Sequence, residues 1–280
     1  MFAILNVEYK KFAGIFNIFK RQKIKIERVD YKNLHFYKIN LKNARKDRIN
    51  WNKVAWAAGR EQASLIVPTD IVLPQNCPCK PFDHTPFMRH VFLNTALKTI
   101  KSAKIRPKHL TLGVIDTNAV APDAAFLALE LAATVRVVTA DINRYEQYSV
   151  QALETTGAPL VVSQTFSSLS FCDVVVAPFG ISKNISCGKN ITIFDETGEN
   201  GFKISQNDIK LPKGLAELIP PKISHTVVAA AVFERGRNRF AVNMTSDYLY
   251  INNIKLSVKD VASHIKNLKR LDKTQKNEYT

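Results

Sequence analysis

HLTLGVIDTNAVAPDAAFLALELAATVRVVTAD, residues 109–141, decides the fold. Its first eight residues form a short, almost wholly apolar run that closes on Asp116. APDAAFLALELAA then has helical composition, with Pro122 at a first-turn position where the missing N–H costs nothing. TVRVVTAD returns to the apolar type. Run, helix and run make a beta-alpha-beta unit, because parallel neighbours need a crossover and strands covered on both faces lose the alternation of a half-exposed sheet.

The pattern continues toward the C-terminus. YEQYSVQALETTG (145–157) reads as a helix, and APLVVS (158–163), CDVVVAPF (172–179) and NITIFD (190–195) as further apolar strands. Together these predict an α/β fold, a Rossmann-like doubly wound parallel sheet of about five strands. AVNMTSDYLYINNIK (241–255) reads as two short strands, and SVKD (257–260) makes a capping box for a final helix through Val261, Ile265 and Leu268.

Upstream the chain is mixed. KIKIERV (23–29) and LHFYKIN (34–40) alternate as the two strands of a hairpin. NWNKVAWAAGREQA (50–63) is helical, SLIVPTDIVLP (64–74) is a strand pair or one bent strand broken at Pro68, QNCPCKPFDHTP (75–86) is a loop, and FMRHVFLNTALKTIKSA (87–103) is an amphipathic helix. The expected division is a mixed, basic α+β domain over 1–106, the Rossmann-like domain over 107–245, and a C-terminal hairpin and helix over 246–280 that pack back on the rest.

With 46% hydrophobic residues in 280, the chain can bury a full core, and no apolar run approaches the roughly 20 residues that span a bilayer. The N-terminus lacks a secretory order of basic, apolar and small residues, and four cysteines are too few for a disulfide framework, so the expectation is a cytoplasmic protein. The net charge of +16 is concentrated at the ends: residues 1–60 carry fifteen Lys and Arg against four acids, and residues 255–280 carry seven against three. A basic end interleaved with Phe16, Phe19, Tyr31, Phe36 and Tyr37 suits phosphates and bases, so nucleic acid stays among the partners considered. Solubility explains the same lysines without any ligand.

VIDTNAVA (114–121) resembles the glycine fingerprint of Rossmann-type NAD(P)- and flavin-binding domains, with Asp116, Asn118 and Ala121 in the three glycine positions. The resemblance covers roughly residues 109–196. It implies NAD or NADP as cofactor, with Asp141 at the end of the second strand facing the adenosine ribose and the end of CDVVVAP near the nicotinamide. The layout as a whole is similar to shikimate dehydrogenase, although that family's catalytic lysine and aspartate motifs are absent.

The departures from the fingerprint matter physically. Ala121 is an accepted third residue, and Asn118 tolerates left-handed backbone, but Asp116 and Asp123 set two carboxylates beside a helix N-terminus that would otherwise attract an anion. The anion site is then filled by the protein's own carboxylates, or its acidic mouth binds a cation. Because open α/β sheets bind ligands at the carboxyl ends of their strands, the candidate pocket is Asp116, Thr117, Asn118, Ala119, Val120, Asp141, Pro178 and Phe179 under every reading.

Cys77, Cys79, His84 and His90 form a second candidate cluster, with ligand types that suit zinc but a one-residue cysteine spacing that does not. Cys187, His225 and the basic RGRNR (235–239) offer no recognisable catalytic partner. No phosphate loop, nucleophile elbow or HExxH motif is present. The leading expectation is a non-catalytic ligand-binding or interaction protein with a degenerate dinucleotide site. The alternative is a two-domain NAD(P)-dependent oxidoreductase with its active site in the interdomain cleft, and the third is nucleic-acid binding through the N-terminal region.

Overall fold

The computed structural model describes residues 1–9, 21–45, 48–120, 122–181, 191–234 and 239–277. Ala121, Cys187 and most of RGRNR therefore lie outside the described residues.

The chain opens with β1 (Ala3–Tyr9), β2 (Lys23–Tyr31) and β3 (Leu34–Ala44). β2 and β3 form the expected hairpin, in register from Tyr31 opposite Leu34 to Lys23 opposite Lys42. Its two-residue turn is made by Lys32, at φ 53°, and Asn33. α1 (Trp51–Ala58) is capped by Asn50, whose side chain accepts the Lys53 N–H, and stops at Gly59, whose φ of 54° a side chain would resist. β4 (Leu65–Ile66) ends before Pro68, and the expected second strand does not form: Val72 is 91% exposed, with no core to reward extended pairing. The resulting sheet has the order β2-β3-β1-β4, antiparallel only at the hairpin.

α2 (Thr85–Ser102) leads into β5 (Thr111–Ile115), α3 (Pro122–Leu129), β6 (Thr134–Val138), α4 (Ile142–Thr156), β7 (Leu160–Ser163), β8 (Val174–Ala177) and β9 (Thr192–Asp195). The last five strands form one parallel sheet in the order β7-β6-β5-β8-β9. The chain thus steps outward on one side of β5, then returns and continues on the other, which is the Rossmann-like order with its switch point between β5 and β8.

Alternate side chains of these strands build two cores. Leu112, Val114, Val135, Val137, Val174, Val176 and Phe194 share a core with buried residues of α2, α3 and α4. Ile115, Val138, Val175 and Ala177 meet Leu169, Cys172 and Ile181 on the opposite face. That face is crossed between β7 and β8 by a short 3-10 segment, Phe166–Phe171, which packs so closely that a Cβ added at Gly113 would stand 2.8 Å from Leu169 Cδ2.

Three helices follow, α5 (Lys213–Ala216), α6 (His225–Glu234) and α7 (Arg239–Val242), then a hairpin of β10 (Tyr248–Ile251) and β11 (Ile254–Ser257) turned by Asn252 and Asn253 at φ 48° and 65°. α8 (Val258–Asn277) starts with the predicted capping box: Ser257 Oγ accepts the Asp260 N–H while Asp260 Oδ2 accepts both the N–H and hydroxyl of Ser257. These bonds hold the Asp260 carboxyl below its ordinary range. His225 is exposed at the start of α6.

By contact the chain forms two compact units, Met1–Met88 with Ile209–Asn243, and Arg89–Asp208 with Met244–Thr280. Within the first, the Thr69 N–H and hydroxyl both donate to the Lys222 carbonyl, and Lys222 pairs with Asp70 at 2.6 Å. Within the second, Val258, Val261, Ala262 and Ile265 of α8 complete the core on the helical face of the parallel sheet. No described helix is long and apolar enough to cross a membrane.

Candidate functional site at the carboxyl edge of the parallel sheet

β5 lies between β6 and β8, so the segments following the three strands stand side by side at one edge of the sheet. The Asp116–Val120 turn follows β5, Asp141 follows β6, and Pro178 and Phe179 follow β8. Every residue of the expected pocket belongs to this edge, but the residues do not share one exposure. Asp116, Ala119 and Pro178 are buried, Thr117 and Phe179 half-buried, and Asn118, Val120 and Asp141 exposed.

Asp116 is the centre of the turn. Its backbone N–H donates to the Val138 carbonyl, and its own carbonyl accepts the Ala119 N–H at 3.0 Å. Its carboxylate is wholly buried: Oδ1 accepts the Val120 N–H at 3.0 Å, and Oδ2 accepts the Tyr145 hydroxyl at 2.7 Å. A buried carboxylate has to be compensated by donors, and here one comes from the loop and one from α4. Tyr145 is fully buried as well, and desolvation, followed by the bond to Asp116, pushes its phenol far above the ordinary 10.0. The acidic mouth expected from the sequence is therefore not formed by Asp116, whose charge faces inward.

The same bonding corrects the expected backbone. Left-handed φ falls on Ala119 (52°) and not on Asn118, because the chain must swing the Val120 N–H back onto the Asp116 carboxylate. Pro122, first in α3, contributes no N–H to the helix end, and exposed Asp123 adds a negative charge in its first turn. The position where a fingerprint of this type meets a pyrophosphate is supplied with a protein carboxylate, a proline and a second acid.

Asp141 has a structural task of its own. It is the N-cap of α4, where its Oδ1 accepts the Arg144 N–H at 3.1 Å, and its own N–H donates to the buried Thr139 hydroxyl. After β8, Gly180 takes φ 75°, and a Cβ there would stand 2.4 Å from Thr197 Cγ2. That threonine belongs to a turn organised by Asp195, a fully buried carboxylate that accepts from the Thr197 N–H and hydroxyl and from the Asn200 N–H and side-chain amide.

Tyr145, Asp195 and Arg89 were not among the expected site residues. Tyr145 had a signal, since Ile142, Tyr145, Ser149 and Ala152 recur at helical spacing and a buried tyrosine needs a hydroxyl partner. Asp195 had one in DETGENG, where an aspartate before Thr and Gly favours a turn held by its side chain. Arg89 had none: it becomes part of this edge only because α2 sets its guanidinium carbon 4.8 Å from the centroid of the Phe179 ring.

The cysteine cluster is brought together in part. Cys77 and Cys79 are neighbours, and burial, aided by the Cys77 thiol, pushes the Cys79 thiol up to about 11. Among the described residues no three His, Cys, Asp or Glu side chains are grouped as metal ligands, so His84 and His90 do not complete a site with them. His90 Nε2 instead meets the Asn94 amide at 3.1 Å along α2.

No family model matches the sequence, and no curated protein does. Among solved structures, L-tryptophan dehydrogenase from Nostoc punctiforme aligns with 85% of this chain and 71% of its own, at 13% identity and TM-score 0.35. Delta(1)-pyrroline-2-carboxylate reductase from Thermococcus litoralis, solved in complex with NADH and L-proline, aligns over 68% and 66%, at 10% identity and TM-score 0.30. Quinate dehydrogenase from Corynebacterium glutamicum, solved in complex with NAD, aligns over 82% and 88%, at 9% identity and TM-score 0.32.

Proposed function

We propose that this chain is a small-molecule-binding protein that uses the switch point of a Rossmann-like sheet, with the dinucleotide loop closed by its own carboxylate. The observation that carries this is the buried Asp116, one oxygen on the Val120 N–H and the other on the Tyr145 hydroxyl. An incoming pyrophosphate at that turn would have to displace a carboxylate that the fold has already compensated, beside a proline with no N–H to offer. The ligand then occupies the edge through groups that keep some exposure, among them Thr117, Asn118 and Phe179.

An NAD(P)-dependent oxidoreductase is the second reading, and Asp141 favours it. This acid is exposed at the end of β6, the second strand of the unit, where the fold seats an adenosine ribose, and its capping bond engages Oδ1. The nucleic-acid reading has no comparable support: Lys23 and Lys25 lie exposed on edge strand β2, where lysines keep an open sheet edge from pairing with another chain.

Thermal unfolding in the presence of NAD, NADP, their reduced forms and FAD separates the two. The closed loop predicts an unchanged melting temperature with each. A ligand at about 100 times its dissociation constant adds about 2.7 kcal/mol of stability, so a rise of a few degrees with one dinucleotide, lost in Asp141→Ala, would establish the oxidoreductase reading instead.

A further inference from the structure

We infer that Arg89 anchors the carboxylate of a small-molecule ligand at the switch point. The inference deepens the reading above, since it places a ligand at that edge. Arg89 is half-buried on α2, and its guanidinium stands over the ring of Phe179, two residues beyond the end of β8. Its Nε is buried and has no hydrogen-bond partner among the described residues. A buried cationic donor left unpaired is costly, and the face of an aromatic ring compensates the charge without satisfying the N–H. The nearby polar groups on the helix are already committed, His90 to Asn94 and Asn94 to the Met244 carbonyl.

The geometry of the guanidinium selects the ligand. With Phe179 on one side of it and Nε buried, recognition falls to the edge formed by the two terminal nitrogens, whose parallel N–H groups match two coplanar oxygens. Exposed Asp123 and Asp141 at the same sheet edge penalise a dianion more than a monoanion, which favours a carboxylate over a phosphate.

Arg136 provides an internal control. Its Nε is likewise buried and unpartnered, and its guanidinium carbon lies 5.0 Å from the Phe171 ring centroid. It sits in mid-strand, between Gly113 and Val161 in register, away from the strand ends.

Saturation-transfer NMR with benzoate and pyruvate at millimolar concentration, and inorganic phosphate as competitor, tests the assignment. Both carboxylates should receive magnetisation from the wild-type protein, weaken about tenfold or more in Arg89→Met, weaken in Arg89→Lys, which keeps the charge but not the fork, and stay unchanged in Arg136→Met. Absence of transfer in the wild type, full transfer in Arg89→Met, an equal loss in Arg136→Met, or displacement by equimolar phosphate would each overturn it. Should Arg89→Met not fold, Arg89→Lys and Phe179→Leu carry the same test. A melting shift with a dinucleotide, together with carboxylate binding that still depends on Arg89, would overturn the closed loop and leave the anchor standing.

Discussion

At the scale of single residues, the site is governed by one carboxylate and one phenol. The sequence made Asp116 conspicuous because it occupies a glycine position, but charge alone left open whether its carboxylate faces inward or lines an acidic mouth. Its partner was not legible either, since the hydrogen bond spans 29 positions and exists only once α4 is laid against the sheet. Tyr145→Phe removes that partner and leaves Oδ2 of a buried carboxylate one donor short, an expected loss of about 1.5–3 kcal/mol in chemical denaturation. The pH dependence has a definite sign. The folded phenol is raised above the 10.0 of the unfolded chain, so its contribution is fully present below pH 10.0 and declines as pH rises beyond it, when the unfolded phenol ionises and the folded one does not. The stability gap between wild type and Tyr145→Phe should therefore narrow above that pH by up to about 1.4 kcal/mol per unit. A gap that stays constant from about pH 8 to 11 would refute the buried pairing.

At the scale of elements, periodicity was a good guide wherever a segment had one environment along its length. The hairpin β2–β3, the five parallel strands and the capping box of α8 all follow from patterns of two, of continuous apolar residues, or of Ser and Asp three apart. It was a poor guide at 71–74, where Val72 is 91% exposed and no second strand forms, and at the β7–β8 crossover, where close approach substitutes for a helix. That approach depends on glycine, and two positions can be ranked. An added Cβ at Gly113 would meet side-chain atoms of Leu169, Val175 and Cys172 at 2.8–3.1 Å, which rotation can partly relieve. At Gly201 it would meet the Ile193 carbonyl oxygen at 2.3 Å, on a strand already fixed by the Phe202 N–H to Ile193 bond of 2.8 Å. Gly113→Ala should cost about 1–3 kcal/mol and Gly201→Ala more, as read from their unfolding midpoints; the reverse order would show that the Asp195 turn yields more easily than the strand-face packing.

At the scale of the whole molecule, the course of the chain was the least legible feature. Residues 209–243 belong to the compact unit of the N-terminus, and the ties that hold them there include main-chain acceptance by Lys222 and one ion pair, neither of which leaves a periodic trace. The contribution of the C-terminus was easier to foresee, because Val261 and Ile265 mark one face of a capped helix. That face now makes a quantitative demand. Leu249, Val258, Val261 and Ile265 are buried in the core on the helical side of the parallel sheet, and at about 1.5–3 kcal/mol each they supply about 6–12 kcal/mol, comparable with the whole stability of a domain. A chain ending at residue 245 keeps all five parallel strands and the complete Asp116 turn, yet should fail to unfold cooperatively and should bind hydrophobic dyes, because the sheet face under α8 is uncovered. Cooperative unfolding of that shortened chain near the full-length midpoint would mean that β5–β9 with α2–α4 form a sufficient core, and that α8 is an accessory to it.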